Sequence, residues 1–202
     1  MVGVGWAGRQ SALARVSLVD WHGNVVLDEY VKPDEEVTDY RTHVSGITPQ
    51  HLQDATHTVA TIRPIVADLL RDRVLVGHAL KNDLHILQLH HPWYDIRDTA
   101  KYEPFMQVRF DDGVLWPRKL RDLIAARQID IKGSDGQSFQ QGQHCSVLDA
   151  IAALKLYQTV RIKWEKVMEY KKSKTLQIIQ QKQEEQHVLC ESLSDDSSFS
   201  SL

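Results

Sequence analysis

Apolar and polar positions change pattern along the chain, and the changes outline its elements. Residues 1–5 are short and apolar. Residues 12–19 and 25–31 are rich in aliphatic and β-branched side chains, and His22-Gly23-Asn24 between them supplies a turn, which predicts a hairpin. Lys32-Pro33 ends it, because proline has no N–H to give to a ladder. Residues 33–52 are polar, with Ser45-Gly46-Ile47 and Thr48-Pro49, and read as a loop holding short helical turns. Over 58–70, Val59, Ile62, Val66, Leu69 and Leu70 have helical spacing, interrupted by Pro64. The run 74–76, stopped by Gly77, predicts a buried parallel strand. A helix is expected over 82–89 with Leu84 and Leu87 inward, then a short strand at Ile96. Another helix is expected over 115–126, with Pro117 in its first turn. Residues 130–143, rich in Gly, Ser and Gln, read as a loop. A long helix starting near Ser146 is apolar at Leu148, Ile151, Ala152, Leu156, Val160 and Trp164. Strands first, then alternating strands and helices, predict an α/β sheet with helices on both faces.

Composition narrows the class. The 202 residues are 42% hydrophobic and 25% charged, the proportions of a globular protein, which excludes a wholly disordered or fibrous chain. Cys145 and Cys190 are too few for a disulfide framework. No apolar run approaches the length of a membrane span, and residues 1–20 lack the pattern of a secretory signal, so no membrane partner is expected. With a net charge of −3, any nucleic-acid binding must come from a local basic patch. Composition shifts after residue 170. Four lysines fall within 171–182 with no acid among them, and the last twelve residues hold six serines and three acids. We therefore expect a domain over 1–165 and an extension over 166–202, helical and then disordered.

Two segments carry candidate chemistry. Residues 76–83 run from a strand end through His78 and Asn82 into a helix and deliver the Asp83 carboxylate. Residues 144–150 run from a loop into a helix, with His144 five positions before Asp149. If both face one site, the set suits metal-assisted hydrolysis. Carboxylates hold Mg²⁺ or Mn²⁺, and a histidine takes a proton from the attacking water. Two metals roughly 4 Å apart stabilise the attacking and leaving oxygens of a phosphodiester. Each element also has a plain structural reading. Ser146-x-x-Asp149 matches a capping box, Asp83 complements a helix dipole, and His144 is an ordinary loop histidine. His90-His91 lacks the second Cys/His pair a zinc site needs.

In combination the segments stop being ordinary. The order is Tyr30-Val31-Lys32-Pro33, Val37-Thr38-Asp39-Tyr40-Arg41-Thr42, Ser45-Gly46-Ile47, Leu75-Val76-Gly77-His78 through Asn82-Asp83-Leu84, Ile96-Arg97-Asp98-Thr99, and His144-Cys145-Ser146 through Asp149-Ala150. This resembles the DEDDh 3′→5′ exonucleases, and within them the RNA exonuclease 4 branch, over roughly residues 1–164. The resemblance implies a ribonuclease H-like mixed sheet flanked by helices. It implies two Mg²⁺ or Mn²⁺ ions held by four acidic residues with a histidine general base, and release of mononucleotides from RNA, with single-stranded DNA as a second substrate. It further implies ribosomal RNA processing in the nucleus and nucleolus, with preribosomal proteins as partners and no oligomer. Carried over by position, Asp83 and Asp149 are metal-ligating acids and His144 is the base. Met1, Arg41, Ser45, Gly46, His78 and Asn82 fall on the substrate side.

One departure is large. The family's Asp-x-Glu stands immediately before a Met-Val-Gly-Val-Gly segment, and this sequence begins with that segment, so the first strand is expected to be truncated. Two of four acids are then missing, and the Met1 α-amino group, ordinarily with a pKa near 8, stands where a metal belongs. The chain as written is expected to have little activity, leaving two readings: a fragment of an active enzyme, or a catalytically dead module that binds nucleic acid or a partner. For substrate contacts, Arg41 suits a phosphate or ribose, or else an ion pair with Asp39. Arg118, Lys119 and Arg121 form a basic patch on the helix begun by Pro117, and Trp6, Trp93, Trp116 and Phe105 are candidates for base stacking. Residues 163–182 read as a helix with a basic strip for RNA or a preribosomal partner, followed by the phosphorylatable Ser194-Asp195-Asp196-Ser197.

Overall fold

The structure, a computed structural model, describes residues 1–108, 113–131, 139 and 144–196, with side chains as far as residue 186. The chain divides into two compact units, Met1–Thr159 and Val160–Leu202. The first opens with β1 (Val2–Val4), a 3₁₀ turn at Trp6–Gly8, β2 (Gln10–Ala12), β3 (Arg15–Val19), β4 (Val25–Lys32) and β5 (Val37–Asp39). β1 is the middle strand of three. It pairs antiparallel with β2, Val2 opposite Ala12, and with β5, Val4 opposite Val37.

The expected hairpin is β3–β4, antiparallel with Arg15 opposite Tyr30 and Leu18 opposite Leu27. Its turn closes on Asp20, whose Oδ1 accepts the His22 and Asn24 N–H groups at 2.8 Å. Across the strands Arg15 donates twice to Asp28, at 2.8 and 2.7 Å, and holds that carboxyl below the usual carboxylate range. The segment read as a loop over 33–52 does contain helical turns, α1 (Thr42–Ser45) and α2 (Pro49–Gln53), but also β5. A three-residue strand with a half-polar sequence has no periodicity to betray it. It forms because β1 offers an open edge.

β6 (His57–Thr58) pairs parallel with β4 and leads into α3 (Val59–Leu70). Pro64 does not break α3. The carbonyl it leaves without a partner belongs to Ala60, which is exposed to water, and Thr58 and Thr61 close the N-terminus reciprocally. β7 (Leu75–Gly77) is the expected buried parallel strand, paired with β8 (Ile96–Asp98), and α4 (Leu80–Ile86) begins earlier than the periodicity suggested. The helix expected over 115–126 is corrected. Leu115–Trp116 is β10, paired with β9 (Gln107–Val108), and α5 (Leu120–Ala126) starts only after Lys119. Pro117 therefore stands outside the helix, and of the three basic residues only Arg121 lies on it. The loop expected over 130–143 falls largely outside the described residues.

α6 (Ser146–Gln158) begins where expected and packs on β3, β7 and α5. Two apolar groups flank the strands. Leu13, Val31, Ile62, Val66 and Leu87 join α3 and α4 to the hairpin, and Val2, Ala14, Ile47 and Leu52 seal β1 beneath α2. The second unit holds α7 (Arg161–Asp196), so the long helix predicted from Ser146 is two helices. The expected helix over 163–182 is present, with Lys163, Lys166, Lys171, Lys174 and Lys182 exposed. The end of the expected disordered tail, residues 197–202, lies outside the described residues.

Candidate active site

Parallel strands present the turns after their C-terminal ends to a shared crevice, and β7 and β8 end side by side with Gly77 opposite Asp98. Gly77 is glycine for space. A Cβ there would stand 2.4 Å from Leu80 Cδ2, so a side chain would push α4 away. The chain turns through Ala79, at φ 61°, into α4, which brings Asp83 into its first turn. Asp83 is open to solvent on one side. Burial on its other sides raises its pKa, the Met1 α-amino group opposes that rise, and the nearby Asp98 adds to it.

His144 and Asp149 are brought together, with Nδ1 and Oδ2 3.5 Å apart. The Asp149 N–H bonds the Cys145 carbonyl in the first turn of α6, while the His144 N–H donates to the Val44 carbonyl at 2.7 Å. The capping-box reading of Ser146 and Asp149 is corrected. The residue before the helix is Cys145, and the Ser146 hydroxyl instead meets the Ser17 hydroxyl at 2.6 Å. The loop that holds Val44 is tied by Ser45, whose Oγ donates to the Tyr40 carbonyl and accepts from the Ile47 N–H, and it ends on Gly46 at φ 68°. Ser45 and Gly46 thus shape the carbonyl that anchors His144.

His78 lies between the two halves. Its Nδ1 is 2.9 Å from Thr99 Oγ1, which itself donates to the Gly77 carbonyl. Burial lowers its pKa, and Asp98, a backbone contact to Arg118, and Asp149 pull it back up. Asn82 is exposed in α4. Arg41 reaches both the turn after β1 and Asp39. Its Nη2 donates to the Gly8 carbonyl at 2.8 Å, its Nη1 to Ser11 Oγ at 3.0 Å, and its Nε stands 3.9 Å from Asp39 Oδ2. The Met1 α-amino group has its pKa lowered by burial, raised by Asp83 and lowered again by Arg41. Asp83, Met1, Asp98, His78 and Asp149 are thereby linked into one electrostatic cluster.

Asp98 was not among the residues expected to work here. Its sequence signal was a carboxylate on a short buried strand, in the Ile96-Arg97-Asp98-Thr99 segment. It is 5% exposed, and its Oδ1 accepts the N–H groups of Ala79 and Ala100 at 2.8 and 3.0 Å. Its buried Oδ2 has no hydrogen-bond partner among the described residues. Asp98 therefore holds the turn that aims Asp83. Asp98→Ala should strand the buried Ala100 N–H and the part-buried Ala79 N–H and cost roughly 1–3 kcal/mol in urea unfolding. Asp98→Asn keeps the acceptor, so it should retain most of that stability. It also removes a negative neighbour, so the Asp83 pKa should fall. A carboxyl raised in the folded state loses stabilisation as pH rises through its folded pKa, and that loss should shrink in Asp98→Asn. Equal stability of the Ala and Asn variants would reject the turn-holding role.

Do these residues suit a divalent metal? In kind they do, since Asp83, Asp149 and the orphaned Asp98 Oδ2 are hard oxygen donors. In number they fall short. Among the described residues no group of three or more His, Cys, Asp or Glu side chains is placed to hold a metal ion.

Comparison with known proteins agrees with this geometry. A family model described as exonuclease matches residues 8–157. The human protein named RNA exonuclease 4 is 47% identical over 82% of this chain and 36% of its own length. The Saccharomyces cerevisiae RNA exonuclease 4 is 42% identical over 82% of this chain and 54% of its own. The chain thus spans about a third to a half of these curated relatives. Among solved structures, the Saccharomyces cerevisiae Pan2 pseudoubiquitin hydrolase–RNA exonuclease module in complex with A7 RNA superposes with a TM-score of 0.64 at 28% identity, covering 84% of this chain and 28% of that one. The fold is thus the ribonuclease H-like mixed sheet.

Proposed function

Because the chain belongs to the exonuclease family, we propose that it acts as the nuclease domain of a 3′→5′ RNA exonuclease, with Asp83, Asp149 and His144 as its working groups. The observation that carries the reading is the placement of His144 against Asp149 at 3.5 Å, in a cluster that Asp83 and Asp98 also join. Asp83 and Asp149 would hold the divalent metal, which when bound polarises the phosphodiester and its attacking water. With Nδ1 turned toward Asp149, His144 keeps Nε2 free to accept a proton from that water. A ribosomal RNA precursor as substrate, nucleolar residence and preribosomal partners are the corresponding extensions of this reading.

The test is a 5′-labelled RNA with a free 3′ hydroxyl, incubated with Mg²⁺ or Mn²⁺. The expected result is shortening by single nucleotides, abolished by chelation and by a blocked 3′ end. Internal cuts, or equal loss of a blocked RNA, would overturn it. The alternative, a module on the same fold that binds RNA without cutting it, would leave a shifted but intact band in the same assay.

A further inference from the structure

Four aromatic side chains were candidates for stacking on bases, and the structure separates them. Phe105 is 1% exposed, packed edge-on against Tyr102 under the Arg127 guanidinium. Trp93 lies edge-on to Tyr94 and Trp116 sits in β10, and both are exposed, at 47% and 43%. Trp6 is the most exposed of the four, at 77%, with the Arg9 guanidinium 4.4 Å over its ring.

The loop that carries Trp6 is unusual in shape and firmly held. Gly5, Ala7 and Gly8 have φ of 69°, 53° and 65°, and a left-handed alanine is a conformation that surrounding structure must maintain. Three contacts do so. Thr38 Oγ1 donates to the Gly5 carbonyl at 2.8 Å, Arg41 Nη2 donates to the Gly8 carbonyl, and Gly8 abuts Asp39, where a Cβ would stand 2.6 Å from Asp39 Cβ. A large indole is thus presented to water on a braced turn, with a cation on one side of it. The turn follows directly from β1, and Met1, the residue before β1, has its α-amino group electrostatically coupled to Asp83, so Trp6 lies within ~17 Å of chain from that group at about 3.3 Å per residue. Arg41 also spans this gap. It binds the loop, and its charge is felt at the Met1 amine.

We propose that Trp6, backed by Arg9, is a stacking platform for one unpaired nucleobase of the substrate strand. Such a platform accepts any base, because every base has a π-face, while Arg9 adds a positive charge for the adjoining phosphate. The inference rests on the reading of the chain as an RNA exonuclease.

The test is equilibrium binding of the 202-residue chain to a 5′-fluorescent single-stranded RNA, followed by anisotropy. A series of the same RNA carries one abasic ribose moved stepwise from the 3′ end. Trp6→Ala is expected to weaken binding roughly tenfold and Trp6→Phe much less. One abasic position should weaken the unaltered chain by a similar factor and leave Trp6→Ala unaffected, since the same contact is already gone. Trp6 buries little, so both variants should melt with the parent, and Trp6→Phe keeps the test valid if the alanine variant does not. Unaltered affinity of Trp6→Ala, or a loss that is the same at every abasic position, would overturn the platform while leaving the exonuclease reading in place. Failure of the unaltered chain to bind any single-stranded RNA would overturn both.

Discussion

Asp83→Asn should slow the shortening of RNA from its 3′ end roughly 10²–10³-fold in the presence of Mg²⁺ or Mn²⁺. The reason is charge, because Asp83 and Asp149 are the acids proposed to hold the metal. Losing preorganised charge at a reacting phosphate costs on the order of 10²–10³ per group. The pH dependence of metal binding offers an independent check. The Asp83 carboxyl, held above its usual value by burial, gains its charge as pH rises. Mn²⁺ affinity measured by calorimetry should therefore strengthen as pH rises through the Asp83 titration. Equal cleavage rates for Asp83→Asn and the unaltered chain would show that the Asp83 carboxylate is not a working metal ligand.

His144→Ala should lower kcat by roughly 10²–10⁴ and leave RNA affinity nearly unchanged. The separation of these effects follows from how the residue is held. Its anchor is the backbone N–H on the Val44 carbonyl, which alanine retains, and the imidazole is partly exposed and fills no core. A structural histidine would behave otherwise, with stability and binding falling together. Single-turnover rates and a binding isotherm on the same variant decide the matter. Asp149→Asn should be at least as damaging, since it removes both a candidate metal ligand and the group that faces His144 Nδ1.

Much of this was legible in the order of residues. The β3–β4 hairpin, the buried strand ending at Gly77, α3, and the start of α6 at Ser146 all follow from local patterns. A turn needs Gly and Asn, a helix needs apolar residues every three or four positions, and a buried strand needs a short apolar run bounded by glycine. The pairing of His144 with Asp149 was legible too, because five positions across a helix start leave both near one end of it. Short strands were not. β5 and β10 are two or three residues long and exist only because a neighbouring edge lies open, and β10 displaced the first turn of the helix expected at Pro117.

The sequence by itself determined the family resemblance, the α/β class, and which carboxylates and histidine are the working candidates, because those depend on residue type, order and spacing. The tertiary structure decided what each group does for the others. It set Asp98 beneath the turn that aims Asp83, turned Arg41 onto the Gly8 carbonyl and Ser11, gave Ser45 and Gly46 the task of shaping the Val44 carbonyl, and left Trp6 the most exposed of the four candidate rings. Each of those outcomes depends on hydrogen bonds or burial between residues far apart in the chain, and no local pattern encodes which distant donor will reach which acceptor.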